Sequence, residues 1–438
     1  MEKQQLFEYE SLGTGIMLTR FLGGPTEVEI PREIDGKEVT VIGPECFREN
    51  GLMVTEIVVP DTVKELKNDA FAYTVMLERL VLPETLEVIG ADFLGSSGLL
   101  EAYIPAGVHT FDRPELTDRA FNVSPDNKKY FTDGFGLYER NESGVELVAI
   151  DISKPVERYN IDESATGISL NALRDALRIG ILGIPKNLTD IKEGSLSYNG
   201  RVVKDDKGVK SVLVAEGNPK FIVCSDALCE VIDDKTLKII RYFGSATAVI
   251  PENVSVIGFE SFKNTPVDRL EIGENVKEIK ENAFSGCPIK EIVICGNYMT
   301  FGDEDRFTME SVLEQFGKNG KIYDFTMIDE FLLKEYLTDG RVRMITARLL
   351  QPYELSEESK EKLFDKILTS LYEVMDLLAE KNDLDTVEKM GKLGFFTEDN
   401  IDFLIDKVSG ENRKELTAWF MAYKNENVSM KGGFDFSL

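Results

Sequence analysis

The strongest constraint on this chain is that it repeats itself. A small residue followed by an apolar one recurs as Cys46-Phe47, Ala70-Phe71, Asp92-Phe93, Ala120-Phe121, Ala172-Leu173, Ser261-Phe262 and Ala283-Phe284. Phe71 to Phe93 and Phe262 to Phe284 are each 22 positions apart, and Phe47 to Phe71 is 24. Upstream sits an apolar–Pro or apolar–Gly step: Ile30-Pro31, Val59-Pro60, Leu82-Pro83, Ile104-Pro105, Ile184-Pro185, Ile250-Pro251 and Ile272-Gly273. Between the two lies a Val/Leu-x-x-apolar element, as in Val39–Ile42, Val63–Leu66, Leu86–Ile89, Val108–Phe111, Leu188–Ile191, Val254–Ile257 and Val276–Ile279. A unit this short cannot bury its apolar face alone. Neighbouring units must stack and share a continuous core, which is the physics of a solenoid.

Inside one unit, a strand such as Leu80-Val81-Leu82 ends at a proline, which has no N–H for the ladder. A second short strand follows, and then a turn that drops the Phe into the stack. Period-two alternation turns Ile57, Val59, Leu80, Leu82, Ile104, Leu270, Ile272, Ile292 and Ile294 inward. The small residue before each Phe is where coils approach closely. Asp92 departs from that preference and is expected to mark a loosened or edge-exposed coil.

The same alternation turns Val58, Val81, Tyr103, Glu271 and Val293 outward in one column of the first strand. Four of these five are apolar or aromatic, and a contiguous exposed apolar patch marks an interface. Either a protein partner or another part of the assembly would cover it. The second strand turns Lys64, Glu65, His109, Thr110, Thr189, Asp190, Lys277 and Glu278 outward. That is a solvated face, or a mixed-charge surface for a basic protein. His109 is the only histidine; it reads as a solvent-facing strand residue, with a partner contact as its functional reading.

These residues resemble the BspA-type leucine-rich repeats, whose consensus runs Leu-x-x-Ile/Val-x-Ile-Pro-x-x-Val-x-x-Ile-x-x-x-Ala-Phe-x-x-Cys. The copy Val276-Lys-Glu-Ile-Lys-Glu-Asn-Ala-Phe-Ser-Gly-Cys287 is close to it, and the segment from Pro25 to Gly43 is similar to the family's first repeat. Two interruptions resemble family insertions. One begins Ser124-Pro-Asp-Asn-Lys-Lys-Tyr-Phe and the other Gly217-Asn-Pro-Lys-Phe-Ile-Val-Cys. Each is turn-rich and flanks two β runs, so each reads as a hairpin bulging from the solenoid. The resemblance spans about residues 8–300. It implies a protein-binding role, and the better-known members resemble surface adhesins.

Past about Phe307 the apolar period changes from strand to helix. Ile401, Leu404, Ile405 and Val408 share one face, as do Leu416, Trp419, Phe420 and Tyr423, and Leu363, Ile367, Leu371, Val374 and Leu378 form a longer stripe. Ser356, Asp383 and Thr397 are placed to cap these helices. Trp419 and Phe420 sit at core spacing. The sequence therefore predicts an α+β protein. A β-rich leucine-rich-repeat solenoid at 1–305 carries hairpin insertions at about 124–160 and 205–243. An all-α helical-hairpin domain at 306–424 and a flexible tail at 425–438 follow.

Charge and chemistry narrow the function. The chain has 50 Lys+Arg against 78 Asp+Glu, a net charge of −28. Such an excess of acid argues against nucleic acid, where phosphate neutralisation supplies most of the affinity. One histidine rules out zinc sites built on two or three imidazoles. Gly13-x-Gly15 reads as a hairpin turn rather than a dinucleotide loop, and Asp205-Asp206-Lys207-Gly208 as a turn rather than a calcium loop. Cys224 and Cys229 lack a second cysteine pair and read as plain thiols; Cys46 and Cys287 fall on repeat positions, and Cys295 follows a strand. Acidic pairs such as Glu78 with Glu101 keep a carboxylate hydrolase as the minor alternative. The first residues carry no apolar signal core and no stretch of about 18 apolar residues exists. The expectation is thus a cytoplasmic, non-enzymatic module without cofactor or metal that binds a protein partner, with a cell-surface protein as the alternative.

Overall fold

The computed structural model describes residues 6–112, 119–151, 155–170, 172–173, 179–197, 209–273, 275–294, 297–300, 325–334, 336–352, 355–409 and 413–428. Cys295 and Asp205-Asp206-Lys207-Gly208 lie outside these residues. The chain forms two compact units, Met1–Val231 and Ile232–Leu438.

In the first unit an antiparallel hairpin, Phe7–Leu12 with Gly15–Phe21, opens the stack. Gly13 turns it with φ +57, a conformation that side chains resist. Parallel strands Lys37–Ile42, Glu65–Leu66, Val88–Ile89 and Thr110–Phe111 then add one per turn. Glu27–Glu29, Glu56–Val58 and Arg79–Val81 build the facing ladder, while Glu101–Ile104 pairs with Ala120–Val123. The loop between the two faces drops an aromatic ring into the core. Phe21, Phe47 and Phe71 stack at 5.0 and 5.4 Å between centroids. Ile57, Val59, Leu82 and Ile104 are buried as alternation requires, and Leu80 is half-buried.

One turn departs from the sequence reading. Asp69 N donates to Ala91 O (3.0 Å), Phe71 N to Phe93 O (2.8 Å) and Tyr73 N to Gly95 O (2.7 Å). In a parallel ladder this aligns Asp69 with Asp92 and Phe71 with Leu94. Phe93 therefore fills the slot of Ala70, and Asp92 takes the left-handed corner held by Glu45 and Asp69, with φ values of 51, 53 and 57. The coil is not loosened: Phe93 and Leu94 are both buried.

The two interruptions are not simple bulges. Tyr130–Thr132, Gly136–Asn141 and Gly144–Ile150 form an antiparallel meander whose last strand starts a new parallel ladder with Gly167–Ile168 and Asp190–Ile191. Val156–Asn160, Ile179–Ile184 and Ser211–Val214 face it. The meander is pinned inside by Tyr138 and Tyr159, whose hydroxyls both donate to Asp133 Oδ2, at 2.8 and 3.0 Å. A Cβ on Gly136 would lie 2.2 Å from the Tyr159 hydroxyl, so only glycine fits there. A second hairpin, Phe221–Cys224 with Ala227–Val231, ends the unit.

Both hairpins are seated the same way. Asn127 Nδ2 donates to Pro105 O and Val108 O, at 2.6 and 3.0 Å, and its Oδ1 accepts from Lys129 N and Tyr130 N. Asn218 Nδ2 donates to Pro185 O and Leu188 O, at 2.8 and 2.9 Å, and accepts from Lys220 N and Phe221 N. The ion pairs Lys129–Glu139 and Lys220–Glu230 complete the parallel.

The second unit holds parallel strands Leu237–Tyr242, Val254–Ile257 and Glu278–Ile279, faced by Thr247–Val249, Arg269–Ile272 and Glu291–Ile294. Tyr242, Phe262 and Phe284 form a ring stack of their own at 4.7 and 4.9 Å. Seven helices follow among the described residues: α1 Phe325–Lys334, α2 Asp339–Leu350, α3 Glu357–Thr369, α4 Leu371–Glu380, α5 Leu384–Lys392, α6 Ile401–Val408 and α7 Lys414–Tyr423. Ser356 caps α3 and Asp383 caps α5, accepting from Ser359 N and Thr386 N at 3.1 Å. Thr397 does not cap α6: it opens a turn in which its own N–H donates to Asn400 Oδ1, 2.9 Å. The long stripe from Leu363 to Leu378 is buried but belongs to two helices, broken at Ser370. Trp419 is half-buried in a cluster with Phe396, Phe420 and Tyr423. A π turn, Lys424–Val428, closes α7.

Candidate partner-binding surface

The outward column divides between the two units. In the first, Glu29, Val58 and Val81 stand in register on three adjacent strands, with Glu27, Glu56 and Arg79 two positions before them. Val58 and Val81 are half-buried and the glutamates Glu27 and Glu29 are exposed. An apolar centre thus borders a charged row on one open face. Tyr103 lies on a separate ladder opposite Asn122 and packs partly against the core.

Tyr103 is fixed by its hydroxyl, which donates to Glu84, and Ala106 N donates to the same carboxylate (2.7 Å). Burial works to raise the Glu84 carboxyl, but bonds from Tyr103, Ala106 and Ser124 outweigh it and hold the group below its ordinary range. Burial, then the bond to Glu84, pushes the Tyr103 phenol up. The ring is therefore held by its hydroxyl bond to Glu84 and by its packing against the core.

In the second unit the column reads Val249, Glu271 and Val293 in register. Val249 is 57% exposed, more than a strand residue beside a buried Ala248 and Ile250 needs to be. Val249 is absent from the column that the sequence predicts, although it precedes Ile250-Pro251 as Val58 precedes Val59-Pro60. His109 is exposed with its Nδ1 beside Thr110 Oγ1 at 3.1 Å, and its carbonyl accepts from Lys129 Nζ (2.8 Å). Its main chain seats the first meander while the imidazole faces out.

The remaining chemistry is sparse. Cys46 and Cys229 are buried thiols, pushed by that burial up to about 12. Cys287 is buried and donates to Phe262 O (2.9 Å). Glu101, the partner suggested for Glu78, accepts from Asn122 Nδ2 (2.6 Å). Among the described residues, no three or more His, Cys, Asp or Glu side chains are grouped to hold a metal, and no helix is long and apolar enough to cross a membrane.

A stack of short parallel strands, turned by Pro-terminated steps and an internal aromatic ladder, is a leucine-rich-repeat solenoid. Residues 26–122 and 242–327 match the family model of the BspA type leucine-rich repeat region, in six copies. This chain is a BspA-type leucine-rich repeat protein with a helical C-terminal region. No curated protein matches it. Among solved structures it is similar to a leucine-rich cell surface protein from Faecalibacterium prausnitzii, at 15% identity over 66% of this chain and 93% of that one, TM-score 0.34. A leucine-rich repeat protein from Eubacterium ventriosum aligns at 14% identity over 63% and 91%, TM-score 0.36. One from Bacteroides capillosus aligns at 34% identity over 25% and 85%, TM-score 0.23.

Proposed function

We propose that this chain is a non-enzymatic interaction module that holds a protein partner against the sheet surface of its solenoid. The observation that supports this reading is the apolar column, Val58 and Val81 in register on adjacent strands, beside a charged row on an open face. The fixed Tyr103 ring and, in the second unit, Val249, Glu271 and Val293 would extend the contact. Aromatic anchors surrounded by apolar and charged neighbours are the usual make-up of a contact centre. His109 would lie at its polar margin. The reading needs no cofactor, metal or nucleic acid.

Buried thiols at Cys46 and Cys229, both pushed up by that burial, would suit a reducing, cytoplasmic compartment. The cell surface, named for the Faecalibacterium prausnitzii protein, is the alternative, and protease shaving of intact cells separates the two. The binding reading is tested by affinity capture from the native host with the whole chain and with Val81→Asp/Tyr103→Asp. Loss of a captured protein from the double variant, with an unchanged melting curve, supports it; an unchanged set of captured proteins overturns it.

A further inference from the structure

The edge loops of the first solenoid turns expose more apolar surface than the fold requires. Leu52 (54%), Met53 (62%), Val75, Met76 (47%), Tyr73 and Leu100 (80%) project from three successive loops. These loops touch. A Cβ on Gly51 would lie 2.9 Å from Thr74 Cγ2. Thr55 O accepts from Glu78 N and Arg79 N at 2.9 and 3.1 Å, and Gly98 N donates to Thr74 O at 3.0 Å. The exposed side chains therefore form one ridge, about 10 Å from first turn to third at strand spacing. Later repeats carry Pro266 and Pro288 just before the buried Val267 and Ile289, where Met53 and Met76 precede Val54 and Leu77. Large flexible side chains are thus not a demand of the loop.

An acidic column runs beside the ridge, at the start of the same loops. Glu45, Asp69 and Asp92 occupy equivalent left-handed corners, and Glu45 N donates to Asn68 O (3.3 Å) as Asp69 N does to Ala91 O (3.0 Å). Burial, then the charges of Asp92 and Glu45, push the Asp69 carboxyl up; Arg48 acts in the opposite sense. Arg48 is itself engaged, paired with Glu45 and lying 5.0 Å over the Tyr73 ring. The loop edge thus carries crowded carboxylates on one side and methionine-rich apolar surface on the other.

We propose that this edge docks a basic amphipathic helix, its apolar face on the Leu52–Met76–Leu100 ridge and its Lys or Arg side chains over Glu45, Asp69 and Asp92. Methionine surfaces adapt to helices of varied sequence, and an amphipathic helix presents an apolar side and a cationic side together, as this edge presents an apolar side and an acidic one. A second copy would set acid against acid in a chain of net charge −28. The ridge lies on the loops and the column on the strands that follow them.

The test uses the full chain with methyl-labelled methionine, titrated with a Leu/Lys amphipathic peptide of about 14 residues, ~21 Å long as a helix, and with its Leu/Glu counterpart. The Met53 and Met76 methyl signals are expected to shift with the Leu/Lys peptide alone. Met53→Gln/Met76→Gln should weaken binding by about tenfold or more. Asp69→Asn/Asp92→Asn, which leaves the ridge intact, should weaken it and flatten its salt dependence. Val81→Asp should leave the titration unchanged, so failure here and failure of the sheet-face reading are told apart. Equal binding of the Leu/Glu peptide, undiminished binding by either double variant, or a dimer in sedimentation that Met76→Asp dissolves would each overturn the proposal.

Discussion

Asn127 satisfies four backbone groups at once, two carbonyls of the preceding turn and two N–H groups of the meander it introduces. Its replacement by Ala leaves buried groups without partners, so Asn127→Ala should cost about 2–3 kcal/mol, read from the urea midpoint. Asn218→Ala, half-buried, should cost less. Glu84 offers a second residue-scale test. Its folded carboxyl sits below the ordinary 4.5, so what it contributes is present above that value and is lost as the pH falls through the folded value. Tyr103→Phe removes one of the bonds that hold it down, and the Glu84 titration followed by carboxyl NMR should move upward. Thiol chemistry gives a third. Cys224 is half-buried while Cys46 and Cys229 are held up to about 12, so mild alkylation at pH 8 should label Cys224 before either of them, as peptide mass mapping would show.

At the scale of the element, the repeating loop is governed by its ring. Phe71 is fully buried and stacks on Phe47, so Phe71→Ala should destabilise by about 3–5 kcal/mol and Phe71→Leu by less, measured by chemical denaturation. This element was readable because its period is short and its Phe is large. The turn at Asp92 differs from its sequence pattern for a physical reason: Phe93 and Leu94 are both apolar enough to fill the stack, and only backbone pairing decides which takes which slot. The helices show the same limit. Buried positions from Leu363 to Leu378 were plain from spacing, but Ser370 breaks the stripe without a proline or glycine to announce it. Thr397 and Asn400 are both good caps by type, and the choice between them is made by the turn they share. On the candidate surface, alternation sets Val58 and Val81 beside buried Ile57, Val59 and Leu82, and the structure leaves both half-buried. It could say nothing of the Tyr103–Glu84 bond or of loop side chains such as Met53 and Met76, which obey no strand period.

The whole molecule carries net charge −28, and the repeats up to residue 305 hold about −20 of it against −8 beyond. Like charges along a stack oppose compaction and discourage edge-to-edge association. Raising NaCl from ~0.01 to ~0.5 M shortens the screening length several-fold, and the melting temperature in calorimetry is expected to rise by a few degrees. A fall would mean that the surface ion pairs, such as Lys129–Glu139 and Lys220–Glu230, outweigh the general repulsion. The asparagine-seated hairpins have a consequence for how such an array can change length. A parallel ladder has no natural place to begin, since each turn leans on the one before. Here each hairpin brings its own antiparallel start and its own asparagine anchor to the preceding turn. A segment inserted at Asn127 or Asn218 brings the asparagine and its two N–H donors with it and needs from the turn before only two backbone carbonyls, which any Pro-x-x-apolar step supplies, so this solenoid has a unit of growth larger than the single repeat.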